Sequence, residues 1–311
     1  MRLIALSAAF LLCLASSLPA QEGEKVTLEW KFKKGDSHRY EISYLMEMEI
    51  SGTEITQEML MGTQMDVTDV TAEGVATLKV SYDRIKAKMS GPMNSDYDSD
   101  KDKKPGEGDI LGRVMSAFLG KSVSIQLTKK GECVKFEGMA KLMEEAIKEM
   151  PEEQQAMGEM MKASMNDEYG KTMMQMSMGF LPKAPVGKGD TWSDTAALSM
   201  GVIGKMDMKS KSTLKEIRNG GKEAVVGQDI KFDFKPGDGG GAMGPMEVTE
   251  SKMKAEMVWL VDKGIIQSSK GSMTTDMNAG GQEMTMTMKM EMKLAPKSKD
   301  VPSVDKPKEG K

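Results

Sequence analysis

Residues 284–292 read Met-Thr-Met-Thr-Met-Lys-Met-Glu-Met, so Met284, Met286, Met288, Met290 and Met292 take every second position and polar residues fill the gaps. A period of two is that of a half-buried β-strand, whose successive side chains point to opposite faces. The thioethers therefore share one face, which could be a core, a soft-metal site or the wall of an apolar cavity. The alternation recurs through Ile42, Tyr44, Met46, Met48 and Ile50, then Met59, Met61, Met65 and Val67, then Ala76, Leu78, Val80 and Tyr82. It returns in Met206, Met208 and Leu214, and in Met253, Ala255, Met257, Trp259 and Val261. Glu73-Gly74, Lys130-Gly131, Asn219-Gly220-Gly221 and Lys263-Gly264 separate such runs, the punctuation of antiparallel hairpins.

The runs fall into two β-rich halves, residues 21–138 and 181–294, and each opens on the same turn: Lys34-Gly35-Asp36-Ser37 and Lys188-Gly189-Asp190-Thr191. Between them, residues 139–180 form a helical insertion. Leu142, Met143 and Ile147 stand at helical spacing, Pro151 opens a second helix carrying Met157, Met160, Met161 and Met165, and residues 173–180 form a short third helix stopped by Pro182. These amphipathic helices need an apolar sheet face to cover. The expected fold is mainly β (α+β) and antiparallel, a curved sheet or open barrel of two similar halves with the helices against its concave side. Polar or glycine-rich stretches at 94–109 and 236–245, and the Lys/Pro-rich tail 295–311, are expected to be mobile and outside the core.

The leader-like start bounds the compartment. Arg2, the apolar stretch 3–14 and the small residues ending at Ala20 have the layout of a signal peptide cleaved before Gln21, which makes the protein exported, periplasmic or extracellular. Leu12 before Cys13 argues against lipid attachment there. With the leader removed, Cys133 is the single cysteine, expected as a buried small hydrophobe and not a reactive thiol. No later run reaches the roughly 18 apolar residues of a membrane span. A net charge of −4 with interspersed signs argues against nucleic acid and against a polybasic membrane anchor. Methionine, at 34 residues against 5% aromatics, serves as the default apolar residue, so the interior should be adaptable.

Sites are few. Asp96, Asp98, Asp100, Asp102 and Glu107 fall at positions 1, 3, 5, 7 and 12 of a calcium loop, but Lys101 holds the position that needs glycine and Pro105 interrupts the second half. Cu(I) favours thioethers, and Met157, Met160, Met161 and Met165, or residues 284–292, offer them; alternate residues on one strand, however, stand about 6.6 Å apart. With His38 the only histidine, read here as an exposed residue, neither a Ser-His-Asp arrangement nor a multi-histidine metal centre can be assembled. No catalytic residue and no cofactor is assigned. The candidates for a ligand cavity are Met284, Met286, Met288, Met290, Met292, Met206, Met208 and Trp259.

Over residues 181–192 the Leu-Pro, Pro-Val and Gly-Asp-Thr-Trp run, with the opening Trp30-Lys31-Phe32-Lys33-Lys34-Gly35-Asp36 and the closing Met-rich strand, resembles a family of exported bacterial proteins of unknown function, domain of unknown function 6263. The resemblance implies an exported β-rich protein and transfers no activity, ligand or site. The function expected from architecture and composition is non-enzymatic binding of an apolar or amphipathic ligand, a lipid or an envelope component, by the methionine-lined sheet. The alternatives are a structural or interaction module of the cell envelope and methionine-based copper or oxidant buffering.

Overall fold

The period-two runs become long strands. The structure, a computed structural model, describes residues 24–296 except 51, 92–93, 103, 107–108, 149–154, 156–157, 160–161, 163–164, 200–203, 237–245 and 280–281. In chain order the elements are β1 (Lys25–Val26), β2 (Ser37–Ile50), β3 (Thr53–Val70), β4 (Ala76–Ser90), β5 (Ser95–Asp98), α1 (Ile110–Ser116), β6 (Ser122–Leu127), β7 (Cys133–Glu137), α2 (Met139–Lys148) and α3 (Asp167–Met178). They continue with β8 (Val186–Gly187), β9 (Thr191–Ser199), β10 (Gly204–Arg218), β11 (Glu223–Pro236), β12 (Met246–Leu260), β13 (Ile265–Ala279) and β14 (Gln282–Ala295).

One 12-stranded sheet holds nearly all of them, in the order β7-β6-β4-β3-β2-β14-β13-β12-β11-β10-β9, with β5 paired to β4; β1 and β8 make a separate pair. Every named pairing is antiparallel. The first half runs outward from β2 and the second returns inward to β14, and the two halves join where β14 pairs with β2, Met288 opposite Met46. The order is thus a meander bent toward a ring and left open between β7 and β9. Helix α3 packs on both of these edge strands, so it occupies the seam that a closed barrel would close by hydrogen bonds.

The curvature follows from the hydrogen bonds of two consecutive residues. Trp30 N–H donates to Lys129 O (2.8 Å) in the β6–β7 turn, and Lys31 N–H donates to Gly264 O (3.3 Å) in the β12–β13 turn. In a flat sheet β6 and β13 would lie five strand spacings apart, roughly 24 Å. Neighbouring residues, with Cα atoms about 3.8 Å apart, can bond both turns only if the sheet curls around them. Residues 26–32 therefore cross one end of the curl as a plug. Trp30 packs edge-on to Trp259, with centroids 4.7 Å apart, and stacks on Phe32; Phe180 meets Trp259 edge-on. Leu28, Leu214, Val226 and Trp259 are fully buried there. Lys130 Nζ donates to Leu28 O (3.2 Å) and Pro182 O (3.0 Å), and Trp192 Nε1 to Phe180 O (2.6 Å), whereas the buried Trp259 Nε1 has no hydrogen-bond partner among the described residues.

The two opening turns are built alike. Gly35 N–H donates to Val67 O and Val67 N–H to Asp36 O; Gly189 N–H donates to Leu214 O and Leu214 N–H to Asp190 O. The Asp36 and Asp190 carboxylates accept from the backbone three residues earlier, at 2.9 and 2.8 Å, and Gly35 and Gly189 have φ of 88° and 90°. Each Gly-Asp pair thus anchors the first strand of its half to the second.

Three sequence expectations change. Residues 95–98 form β5, and Tyr97, opposite Ala87, is 1% exposed, so this part of the Asp-rich stretch belongs to the core. Helix α3 begins at Asp167, before the expected 173, because Asn166 caps it, accepting from Tyr169 N–H (3.0 Å), while Asp167 Oδ1 accepts from Met139 and Ala140 N–H at the start of α2. His38 is half-buried in β2, opposite Met65, and not an exposed residue. The leader 1–20, the loop 237–245 and the tail from 297 lie outside the described residues.

A methionine-lined inner face as the candidate functional site

Register decides which methionines meet. Met46 of β2 lies opposite Met288 of β14, Met288 opposite Met273 of β13, and Met273 opposite Met253 of β12. These side chains form a row across consecutive strands, bounded by Gln57 of β3 and Ile230 of β11. Directly opposed residues have Cβ atoms about 4.5–5.5 Å apart, so the row is continuous apolar surface. One row nearer the unplugged end stand Ile55, Met48, Met286, Thr275, Ser251, Phe232 and Met208; one row nearer the plug stand Met59, Tyr44, Met290, Gly271, Ala255 and Gln228.

Burial falls from the plug to the row of Met288 and rises again beyond it, where Met208, Ser251, Thr275, Met277 and Met284 are 5–9% exposed. Close to the plug the inward residues Leu78, Ile125, Leu127, Leu214 and Val226 are 0–1% exposed, whereas Met46, Met48, Met253, Met273, Met286, Met288 and Met290 are only half-buried. Gly271 leaves a gap that the methyl of Met253 enters, 2.7 Å from where a β-carbon would stand. A hollow of about 310 Å³ at the far end of β2 and β3 touches Met48 and Ile55 but is lined mostly by Glu47, Glu49, Glu54, Thr285 and Thr287, which alternate with the inward residues, so it opens on the outer face. A second, of about 210 Å³, lies on the plug beside Trp30, Phe32 and Val70.

Of the cavity candidates, Met286, Met288, Met290 and Met292 are half-buried on this face, and Met284, opposite Met277, is buried at 8%. Met208 (5%) shares the row of Met286, and Met206 is half-buried opposite Phe234. Trp259 is brought elsewhere, into the plug. Sequence reasoning passed over a polar component of the same face: Ser210, Ser212, Gln228, Ser251, Ser269 and Thr275 are all buried. Ser251 and Thr275 hydroxyls share a hydrogen bond of 2.8 Å, and Gln228 Nε2 donates to Ser212 Oγ (3.1 Å). For Ser210 and Ser212 the signal was available, since they fall at the inward positions of the run through Met206, Met208 and Leu214; Ser269 and Thr275 lie in residues 265–279, which alternation of apolar residues does not mark.

The acidic stretch is folded on its own bonds. Asp98 N–H donates to Asp102 Oδ2 (3.3 Å), Asp100 N–H to Asp98 Oδ1 (3.1 Å), and the Arg84 guanidinium pairs with Asp100 at 2.7 Å. Asp96 is exposed opposite Lys88, and Glu107 lies outside the described residues, as do Met157, Met160 and Met161. Among the described residues no group of three His, Cys, Asp or Glu side chains is placed to hold a metal ion. Cys133 is buried, and burial pushes its thiol pKa up. No helix among the described residues is long and apolar enough to cross a membrane.

A family model of unknown function, DUF6263, matches residues 73–257, more than half of the chain. The chain belongs to this family. The match takes in the Gly189-Asp190-Thr191-Trp192 run and stops short of the opening Trp30 segment and the closing methionine strand. No curated protein matches in sequence. Among solved structures, one described as "lipid-protein interactions in lipovitellin" is similar in fold, with a TM-score of 0.51 at 12% identity over 88% of this chain. The chain spans only 27% of that lipovitellin chain. DynF from the dynemicin biosynthesis pathway of Micromonospora chersina aligns over 88% of this chain and 86% of its own at 7% identity, but its TM-score of 0.21 is too low to argue from.

Proposed function

We propose that this DUF6263 member is an exported, non-enzymatic binder of a lipid, holding an acyl chain against the methionine-lined inner face of its open sheet. The observation that carries the reading is the half-buried row Met46, Met288, Met273 and Met253, midway along the strands and past the residues that pack on the plug. Unbranched thioether side chains adapt to a flexible apolar ligand at little cost, which suits a surface that meets chains of varied length. The hydroxyls and amide of Ser251, Thr275 and Gln228 beside the row give such a ligand's polar groups hydrogen-bonding partners. The likeness in fold to a structure described for lipid–protein interactions supports the same reading. The buried thiol of Cys133 and a single histidine set opposite Met65 favour binding over catalysis.

The test is titration of the purified chain with a fluorescent fatty acid, alongside native mass spectrometry after exposure to phospholipid micelles. Saturable binding of one or a few lipids, lost in Met288→Asp, is expected. Met273→Gln is the milder second variant should the aspartate prevent folding. An unmodified polypeptide mass with no saturable fluorescence change would overturn the reading and leave the interaction-module alternative.

A further inference from the structure

We propose that the cross-strand row Met46, Met288 and Met273, with Met253 beside it, is a thioether binding site for Cu(I). The spacing of about 6.6 Å between alternate residues of one strand keeps sulfurs apart. Pairing across strands removes that obstacle: the three residues are direct partners in register on β2, β14 and β13, with Cβ atoms about 4.5–5.5 Å apart. Three torsions per side chain let the sulfurs lean together over the central Met288, and Met253 continues the row on β12. Soft thioether donors select Cu(I) over the harder divalent ions, so a site without carboxylate or imidazole is selective by its chemistry. All four side chains are half-buried, which leaves the sulfurs reachable by an incoming ion, while the fully buried inward residues near the plug could not be reached. Met48 and Met286, direct partners one row on, place further thioethers beside the site.

The inference does not rest on lipid binding, because its readout is the metal itself. Met46→Leu, Met288→Leu and Met273→Leu together keep the row apolar and similar in volume but remove its donors. The wild-type chain should withdraw one Cu(I) from bicinchoninate under reducing conditions, and Ag(I), a redox-stable probe, should shift the methionine methyl resonances of this row in NMR. The triple leucine variant should bind Cu(I) at least tenfold more weakly while its far-ultraviolet circular dichroism spectrum stays that of the folded wild type. Cys133→Ser and His38→Gln, which remove the other soft or borderline donors, should leave Cu(I) binding unchanged. The proposal is overturned if the wild type withdraws no Cu(I), if the triple variant withdraws as much, or if either of these two single variants abolishes binding.

Discussion

The same strands end in two kinds of interior. At the plugged end, aromatic and branched residues from distant parts of the chain meet in fixed geometry: Trp30, Phe180 and Trp259 pack edge to face and Leu214 and Val226 are sealed. Midway along the strands and beyond, many inward positions are methionines, half-buried at Met46, Met253, Met273, Met286, Met288 and Met290 and buried at Met208, Met277 and Met284. Shape-specific packing sets where the sheet bends, and adaptable packing is left to the methionine rows. The two ends divide labour along each strand: one makes the fold unique, the other keeps a surface that different occupants can fill.

The largest effect should come from the plug. Trp259→Ala removes a side chain that is 0% exposed and touches two other aromatics, and it should cost about 3–5 kcal/mol in urea unfolding. The loss should appear as a lower midpoint with an unchanged slope; a shift smaller than that of a single methionine substitution at the other end would erase the contrast between the ends.

Between the ends lies a joint. Arg39 donates from Nε to Asp83 Oδ2 (2.7 Å) and from Nη2 to Asp83 Oδ1 (3.1 Å), with both side chains nearly buried, and the pair crosses Gly62, where a β-carbon would stand 2.0 Å from Asp83 Oδ1. The β3–β4 register shifts at Gly62/Thr63, between half-buried Met61 and buried Met65. Arg39→Met leaves the Asp83 carboxylate buried without its cation and should cost about 3 kcal/mol, at the lower end of the range for a broken buried pair. Hydrogen exchange should then rise on both sides of the bulge. Exchange confined to residues 37–41 would show that the ion pair does not couple the ends.

Tyrosines sample both interiors and give a pH test. Burial raises the pKa of Tyr40, whose hydroxyl donates to Ile266 O near the plug, and of Tyr44, which lies between Met59 and Met290. A raised folded pKa means that the folded state holds the phenolic proton more tightly than the unfolded chain. Their contribution is therefore whole below the unfolded value of about 10 and is lost as pH rises toward the folded values. The melting temperature should fall above about pH 10, and absorbance at the tyrosinate band should lag behind that of free tyrosine. Tyr44→Phe and Tyr40→Phe tell which end titrates first; a melting temperature flat through this range would remove the buried phenols from the account.

The period-two strands and the hairpin turns were legible because alternation and glycine placement are local properties of the chain. So were the paired Gly-Asp turns, which the structure shows making the same bonds to Val67 and Leu214. What was not legible is what depends on pairing between distant segments. Nothing in residues 284–292 indicates that they lie against residues 42–48, and only that pairing turns a strand of methionines into a row across the sheet. The place of α3 between β7 and β9 was hidden for the same reason. Tyr97 was missed because the aspartates, serines and lysines around it read as a solvated loop, although the strand it forms turns this one aromatic inward.

The smallest expected effect is the most discriminating. Met288→Leu, at the centre of the row, exchanges one unbranched apolar side chain for a branched one of similar size and should change stability by less than about 1.5 kcal/mol. If the methionine end is adaptable, Met46 and Met273 re-pack around leucine and the melting temperature barely moves. A loss as large as that of Trp259→Ala would mean that the row is packed to a fixed shape like the plug. The same strands would then end in one kind of interior, with no face left to receive a ligand.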